Sequence, residues 1–520
     1  MNFATAFRDS ADQNRQRVAI IDGTMNLTYR EFDEYTARFA QALTLMGIRS
    51  QERVLIMAKN TAACLVAAVG CLRDNIIACP INTRWSAVEV ERAIEATPVA
   101  AVAFDDGSIE QAEYLRSVLP PEVPFIALDE DIKPDEGMYR LKDLLTRIEP
   151  NYKIAFAEDG DIAMQLFTSG TTGVPKAVLH SHSGLAVFMS MFGFAANTNL
   201  MQEVVPARDT VLAFLPLYHI SSMMTLYALS SGGKAVLHQG FDMDKFLDAI
   251  ETYRITRTTV ASTIIEWMFD RPDIEERDFS SIVYIGYGGS PVSRAAVIKA
   301  KQLLRFTLLQ AYGSTESLIV TTLSGPDHFT DWAHGDMRSF SAGKPMMGAE
   351  VKILDGSGRL CAEGVEGEIW VKSPAMMLGY ANKTREESGF DEHGWLRMGD
   401  TGYIDGNGFL YVTGRITDMI ITGGENVYPK EVESCIAELD DCVADVAVIG
   451  APHPKWGETP VAFVVPKPGT NPTAEEIIRH CETRIAHYKR PSKVVFLDLI
   501  PQDGLGKVQK DKLKELLGNE

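Results

Sequence analysis

The residues of this chain that could do chemistry gather in a few short strings. The first is Thr168-Ser-Gly-Thr-Thr-Gly-Val-Pro-Lys176. Gly170 and Gly173 let backbone N–H groups converge on an anion, while Thr168, Ser169, Thr171 and Thr172 add hydroxyl donors. Lys176 adds positive charge, so the loop suits a polyphosphate. A Walker loop needs Gly-Lys-Ser/Thr opening a helix. Here Pro175 precedes the lysine and the apolar run Ala177-Val-Leu179 follows it. The loop is therefore expected to join two strands, the first over residues 162–167, and to cover phosphates from one side.

The second string, Gln310-Ala-Tyr-Gly-Ser-Thr-Glu-Ser317, offers an aromatic face, a close-approach glycine, hydroxyls and a carboxylate. One carboxylate is a plausible protein ligand for Mg²⁺, which keeps waters and takes phosphate oxygens. Gly286-Tyr-Gly-Gly-Ser-Pro291 reads as a strand end with a helix starting at Pro291. It lacks side chains where a flat base could approach. Trp395-Leu-Arg-Met-Gly-Asp400, Gly414-Arg415, Gly506-Lys507 and Pro216-Leu-Tyr-His219 complete the set. Taken singly, each of these is an ordinary turn, strand end or tail charge.

The elements that must position these strings alternate. Phe32, Tyr35, Phe39, Leu43 and Met46 recur at spacings of three and four, which predicts an amphipathic helix stopped at Gly47. Residues 54–57, 77–81 and 99–104 read as strands, and 62–72 and 88–96 as helices. After the glycine-rich loop come a strand at 211–215, a helix at 241–253, a strand at 282–285 and a helix at 292–304. Strands separated by helices imply right-handed crossovers and a largely parallel sheet. From about residue 340, short strands with turns such as Asp405-Gly-Asn-Gly408 predict a small β-rich lobe. The last hundred residues read as a helix at 429–439 opened by Pro429, strands at 443–449 and 461–465, a helix at 474–485, a strand at 494–497 and a helix at 510–517. The expected fold class is α/β: a large N-terminal domain of parallel-type αβ sheets with a small β-rich lobe, and a small α+β C-terminal domain.

Composition narrows the function classes. At 520 residues the chain is too long for one hydrophobic core. A net charge of -20 repels phosphate backbones, which argues against nucleic acid as a general partner. The seven cysteines form no C-x-x-C pair, so scattered reduced thiols and a cytoplasmic setting are expected. No apolar run follows a basic start at the N-terminus, which predicts no signal peptide. The apolar stretch 65–72 is far too short to span a bilayer, so no integral membrane association is expected.

Together the strings resemble those of the acyl-adenylate-forming superfamily: acyl-CoA ligases, peptide-synthetase adenylation domains and beetle luciferases. The resemblance covers nearly the whole chain, with the phosphate loop, Tyr312 to Glu316, Asp400, Arg415 and Lys507 in the family's order. It implies ATP as cosubstrate, its outer phosphates held by the loop from Thr168 to Lys176. It sets Gly288, Gly289 and Ser290 beside adenine and makes Gln310, Ala311, Tyr312, Gly313 and Ser314 nucleotide-binding, with Tyr312 packed on the base. Thr315 would contact the α-phosphate and Glu316 would hold Mg²⁺. Asp400 would accept both ribose hydroxyls, as a carboxylate suits, and Arg415 would contact ribose or phosphate. Lys507 would reach the substrate carboxylate and the α-phosphate and neutralise charge in the transition state. His219 would line the acyl pocket beside the carboxylate, with Ser222 and Ala311.

The resemblance also implies two domains, 1–415 and a mobile 416–520. The hinge falls near 415–418, with Thr417 at a pivot where the family often has Asp or Lys. Domain rotation lets one pocket serve two reactions by changing the groups around it. Gly423 and Gly424 would line a thiol tunnel, and Trp456, Tyr488 and Arg490 would contact CoA. Ser492 stands where some relatives carry a lysine, and Met398 where threonine is usual. The implied activity is AMP-forming acyl-CoA ligation. The rivals are an adenylation enzyme that loads a carrier protein, and an inactive acyl-adenylate or nucleotide sensor. Ala311 is small and Ile220-Ser-Ser-Met-Met224 holds no cation, which favours an apolar, aryl, cyclic or medium-chain acid. The assembly stays open, a homodimer included.

Overall fold

Apolar runs bounded by Gly, Asn and Asp become strands here, and amphipathic or wholly apolar runs become helices between them. The computed structural model describes all residues except 133–136, 169–174, 199–208, 220–221, 289–291, 293, 304–306, 330–337, 423–424, 483, 503–507 and 519–520. Two largely parallel sheets build the N-terminal domain. One runs, in spatial order, Gly379–Tyr380, Lys176–Ser181, Ile162–Thr168, Ile77–Pro80, Arg53–Met57, Ala101–Phe104, Phe125–Ala127, Met138–Arg140. The other runs Lys344–Pro345, Leu318–Ser324, Thr307–Ser314, Tyr284–Gly288, Arg257–Ala261, Thr210–Ala213, Lys234–Leu237, Val18–Ile21, Asn26–Thr28.

One core joins the two sheets: Val54, Ile56 and Ala78 of the first share it with Val211, Tyr284 and Leu309 of the second. The helix Ala62–Arg73 lies within this core. Its sequence is apolar all round, as a helix needs when no face meets water. Gly70 allows the helix Tyr29–Leu45 to come close, since a Cβ there would lie 2.8 Å from Phe39 Cδ1. That second helix starts at Thr28, whose hydroxyl and the Glu31 carboxylate cap each other's backbone. Arg73 closes the buried helix, and its guanidinium donates to Asp33 at 2.6 Å and to the Tyr152 carbonyl at 3.2 Å.

The β-rich lobe is an antiparallel sheet of Glu350–Leu354, Gly367–Lys372, Leu396–Ile404 and Leu410–Arg415. In the C-terminal domain, Val443–His453 and Gly457–Pro466 form a long hairpin, with Lys493–Phe496 added in parallel. The helices Pro429–Ala437 and Ala474–Glu482 bury Val432, Ile436, Ile477 and Cys481 against it. Among the described residues no helix is long and apolar enough to cross a membrane. All seven cysteines are free, as expected.

The structure corrects the sequence reading at three places near the candidate site. The strand expected at 282–285 is Tyr284–Gly288, so Gly286 and Gly288 lie inside a strand, and the following helix begins at Arg294 rather than Pro291. The strand Thr307–Ser314 does not stop before Gln310; it continues through Ser314 because Leu318–Ser324 pairs with it as a hairpin. Asp400 and Arg415 likewise sit in strands, directly paired with each other. In each case a partner strand satisfies backbone groups in a stretch whose glycines read as a loop.

Candidate active site

The parallel strands of the second sheet end at one edge, and the strand Thr307–Ser314 carries the most chemistry to it. Ala311 pairs in parallel with Gly288. Past Tyr312 a bulge shifts the register, and Gly313 crosses the Leu318 backbone so closely that a Cβ would lie 1.8 Å from the Leu318 carbonyl oxygen. Only glycine fits there. The turn that follows holds itself: the Ser314 amide donates to Ser317 Oγ at 2.9 Å and the Ser317 amide to Ser314 Oγ at 3.3 Å. Thr315 and Glu316 are displayed between these two serines.

On one side of this strand lies a carboxylate held by two donors. Tyr312 donates its hydroxyl to Asp400 Oδ2 at 2.8 Å, and Arg415 Nε approaches Asp400 Oδ1 at 3.1 Å. The Asp400 side chain is 8% exposed and that of Arg415 51%. Burial, reinforced by the Asp400 charge, pushes the Tyr312 phenol well above its ordinary value, so it stays a donor. An ionised carboxylate accepts without donating. Tyr312 bonds one oxygen of Asp400 and Arg415 pairs with the other.

On the other side lies Glu316. Tyr380 donates its hydroxyl to Glu316 Oε1 at 2.8 Å, and Lys176 Nζ sits 5.0 Å from the Tyr380 ring centre. Burial and the Glu316 charge raise the Tyr380 phenol and keep its proton in place. Lys176 opens the strand Lys176–Ser181, paired antiparallel with Ile162–Thr168 so that Thr168 faces Lys176. The phosphate-type loop thus joins two strands, as its sequence implied. Four residues on, the buried His180 ring donates from Nε2 to the Thr315 carbonyl at 2.8 Å. Burial lowers His180 to about 4, so the ring is neutral near pH 7. The hairpin and the Thr315–Glu316 turn are therefore tied together twice, through His180 and through Tyr380.

Other expected site residues fall as follows. Gln310 is buried and accepts from the Tyr287 hydroxyl at 3.2 Å. The His219 ring lies against Tyr218, with centroids 4.6 Å apart. Ser222 opens the helix Ser222–Ser230, and its hydroxyl donates to the His219 carbonyl at 2.8 Å, so its polarity is engaged by the turn. Thr417 lies in the short turn Ile416–Asp418, whose Asp418 pairs with Lys510 at 3.0 Å. Trp456 is exposed at the tip of the C-terminal hairpin beneath Lys455, 4.5 Å from its ring. Tyr488 is exposed in the turn His487–Lys489. Arg490, expected to contact CoA, donates from Nη1 to Glu482 at 2.6 Å. Ser169, Gly170, Thr171, Thr172, Gly173, Gly289, Ser290, Gly423, Gly424 and Lys507 lie outside the described residues.

Three residues at the site went unassigned in the sequence: Tyr380, His180 and Ser317. His180 had a readable signal, since it shares strand parity with Lys176 four residues earlier. Tyr380 had none, because only the sheet brings Gly379–Tyr380 beside Lys176–Ser181. Ser317 closed a string already singled out, but its reciprocal bond with Ser314 needs the turn to be seen. Among the described residues no cluster of three His, Cys, Asp or Glu could cage a metal. The lone Glu316 fits only an ion that keeps waters and takes ligand oxygens, as Mg²⁺ does.

Comparison with known proteins agrees with this geometry. The family model for the AMP-binding enzyme matches residues 7–381, and that for the AMP-binding enzyme C-terminal domain matches 431–507. The chain is 33% identical to the indoleacetate–CoA ligase of Aromatoleum aromaticum, over 95% of this chain and 94% of that protein. It is 31% identical to a methyl-dioxo-octahydro-indenyl propanoyl:CoA ligase of Rhodococcus jostii, over 98% of each chain. Its fold is similar to the crystal structure of ATP-bound MatB from Rhodopseudomonas palustris, with TM-score 0.87 and 26% identity over 99% of this chain and 98% of that one. A match over most of its length, with the Tyr312–Asp400–Arg415 and Glu316–Tyr380–Lys176 groups flanking one strand, places the chain in the AMP-binding enzyme family.

Proposed function

We propose that this enzyme is an AMP-forming acyl-CoA ligase acting on an apolar, aryl, cyclic or medium-chain carboxylic acid. The observation that carries the reading is the pairing of two sites across one strand end. Asp400, oriented by Tyr312 and Arg415, offers an acceptor carboxylate to ribose, and Glu316, four positions after Tyr312, is bonded by Tyr380, over whose ring Lys176 lies. A nucleotide laid with its ribose on Asp400 brings its phosphates toward Thr315, Glu316 and the Thr168–Lys176 hairpin. The 33% identity to an indoleacetate–CoA ligase supports the choice of acid and of thiol acceptor.

In the first reaction the acid's carboxylate oxygen attacks the α-phosphorus of ATP, and pyrophosphate leaves. Lys176 and the loop hydroxyls receive the outer phosphates, and Thr315 faces the α-phosphate. Glu316 holds Mg²⁺, which when bound neutralises phosphate charge. Tyr380 fixes the Glu316 carboxylate, and neutral His180 fixes the Thr315 backbone. Lys507 offsets the charge that grows on the reacting oxygens. In the second reaction the CoA sulfur attacks the acyl carbon; the thiol gives up its proton and AMP leaves with the electron pair.

The domain division at about 415–418, with Thr417 as pivot, belongs to the same proposal. Rotation there withdraws Lys507 and opens a thiol path beside Gly423 and Gly424, with Trp456 and Tyr488 on the CoA side. Acid-dependent ATP–pyrophosphate exchange tests the first reaction, and thioester formation with free CoA separates this reading from carrier-protein loading. Lys507→Ala is expected to damage exchange far more than thiolysis of preformed adenylate. Unchanged exchange in that variant would remove Lys507 from the mechanism.

A further inference from the structure

The turn after Tyr380 carries a lysine that the reaction above does not use. Tyr380 pairs with Val178, and the Ala381 amide donates to the Ala177 carbonyl at 2.9 Å, so this short strand runs beside Lys176–Ser181 toward Lys176. At Asn382 the backbone turns, with a φ of +58°, a left-handed value that asparagine tolerates. The Lys383 amide then donates back to the Tyr380 carbonyl at 3.2 Å. Two side chains anchor the turn: Asn382 donates to the Ala96 carbonyl, and the Ser388 hydroxyl accepts the Tyr380 amide at 2.9 Å. Lys383 Nζ is thereby brought 5.9 Å from the centre of the Tyr380 ring, the same ring that Lys176 Nζ approaches to 5.0 Å.

Two ammonium groups at one ring repel each other, and cation–π contact at an exposed site is weak. Elsewhere on this acidic chain lysines find carboxylates: Lys59 has Asp106, Lys142 has Glu130 and Lys489 has Glu431. Neither Lys176 nor Lys383 has an ion-pair partner among the described residues. Glu316 is bonded by the Tyr380 hydroxyl instead. Glu387, four residues after Lys383, accepts the Thr384 amide at 2.8 Å. Lys383 is exposed and Lys176 half-buried, each on a long flexible stem. Two unpaired cations so placed suit a polyanion that arrives and then leaves.

We infer that Lys383 is a second cation for pyrophosphate, which takes the outer phosphates together with Lys176 while they belong to ATP and holds them as they depart. The inference rests on the ligase reading above. In that reading ribose lies at Asp400 and the α-phosphate at Thr315, whereas Lys383 stands over Tyr380 on the Glu316 side of the strand. Its effect therefore follows pyrophosphate and ATP, and spares any step in which no outer phosphate takes part.

The test is ATP–pyrophosphate exchange as a function of pyrophosphate concentration, with an acid that the wild-type enzyme activates. Lys383→Met should raise KM for pyrophosphate about tenfold, the loss of one hydrogen bond to a charged group. Lys383→Arg keeps the charge and should stay within about twofold of wild type. Thiolysis of preformed acyl-AMP by CoA involves no pyrophosphate, so it separates binding from a structural role. In Lys383→Met it should change by no more than about twofold. A pyrophosphate KM unmoved by Lys383→Met, or thiolysis slowed as much as exchange, overturns the inference and leaves the ligase reading standing. Wild-type exchange with none of a panel of ring and linear acids overturns both.

Discussion

Replacing Tyr312 with phenylalanine separates two roles that one side chain combines. The ring stays, so packing against a base is kept. The hydroxyl that donates to Asp400 Oδ2 at 2.8 Å is lost. Asp400 then loses that bond while its ion pair with Arg415, which meets the other oxygen and is itself half exposed, remains. A hydrogen bond to a charged group contributes about 1.5–3 kcal/mol. If Tyr312 orients Asp400 for ribose, that energy appears as weaker nucleotide binding, roughly ten- to a hundredfold in KM for ATP. The assay is acid-dependent pyrophosphate exchange as a function of ATP concentration, run in parallel with 2′-deoxy-ATP. The penalty is expected to shrink with the deoxynucleotide, which lacks one of the two hydroxyls Asp400 would accept. An unchanged KM for ATP together with a lower melting temperature would refute the reasoning, because Tyr312–Asp400 would then be a structural bond only.

Gly313→Ala is expected to abolish exchange or prevent folding of the hairpin, since its Cβ would sit 1.8 Å from the Leu318 carbonyl; wild-type exchange in a folded variant would contradict the turn geometry. Arg73→Met leaves Asp33 without its buried partner and should lower stability by about 3–5 kcal/mol, read as a shift in the urea midpoint. Acid should destabilise the protein well before the carboxylates titrate. Burial holds His180 and His182 at about 4 and His328 at about 3, below the ordinary histidine value of 6.5. Between pH 6.5 and 4 the unfolded chain therefore binds more protons than the folded one, so stability is complete above 6.5 and falls as pH drops. His182 gives this a structural handle, because its Nδ1 accepts the Phe3 amide at 3.1 Å and protonation would break that bond. A melting temperature flat from pH 7 to 4.5 would contradict the neutral assignments.

Much of the architecture was legible because it rests on local pattern. The helix at Tyr29–Leu45 and its stop at Gly47 follow from spacing and from a glycine whose φ of +87° favours no other residue. The buried helix Ala62–Arg73 follows from an apolar run with no polar face. The hairpin that carries Lys176 was readable from Pro175 and the strand after it. What escaped lies in pairings between distant segments. Gln310 to Ser314 reads as a turn until Leu318–Ser324 is seen to pair with it. Tyr380 acquires its bond to Glu316 only through strands nearly two hundred residues apart in sequence, and nothing local marks it. Nothing local marks Glu482, eight residues before Arg490, as the acceptor of its guanidinium. Charge pairing of that kind depends on how the turn at His487–Lys489 folds back, which spacing alone does not specify.

The central claim is that Asp400 and Glu316 serve one nucleotide whose α-phosphate is transferred as AMP to an acid and then exchanged for CoA. Mass spectrometry of a single reaction with Mg·ATP, CoA and a panel of ring and linear acids addresses it directly. One acyl-CoA, one AMP and one pyrophosphate should form per acid consumed, with acyl-AMP accumulating when CoA is left out. Formation of ADP and phosphate, or of acyl-AMP that free CoA never converts to thioester, would contradict it.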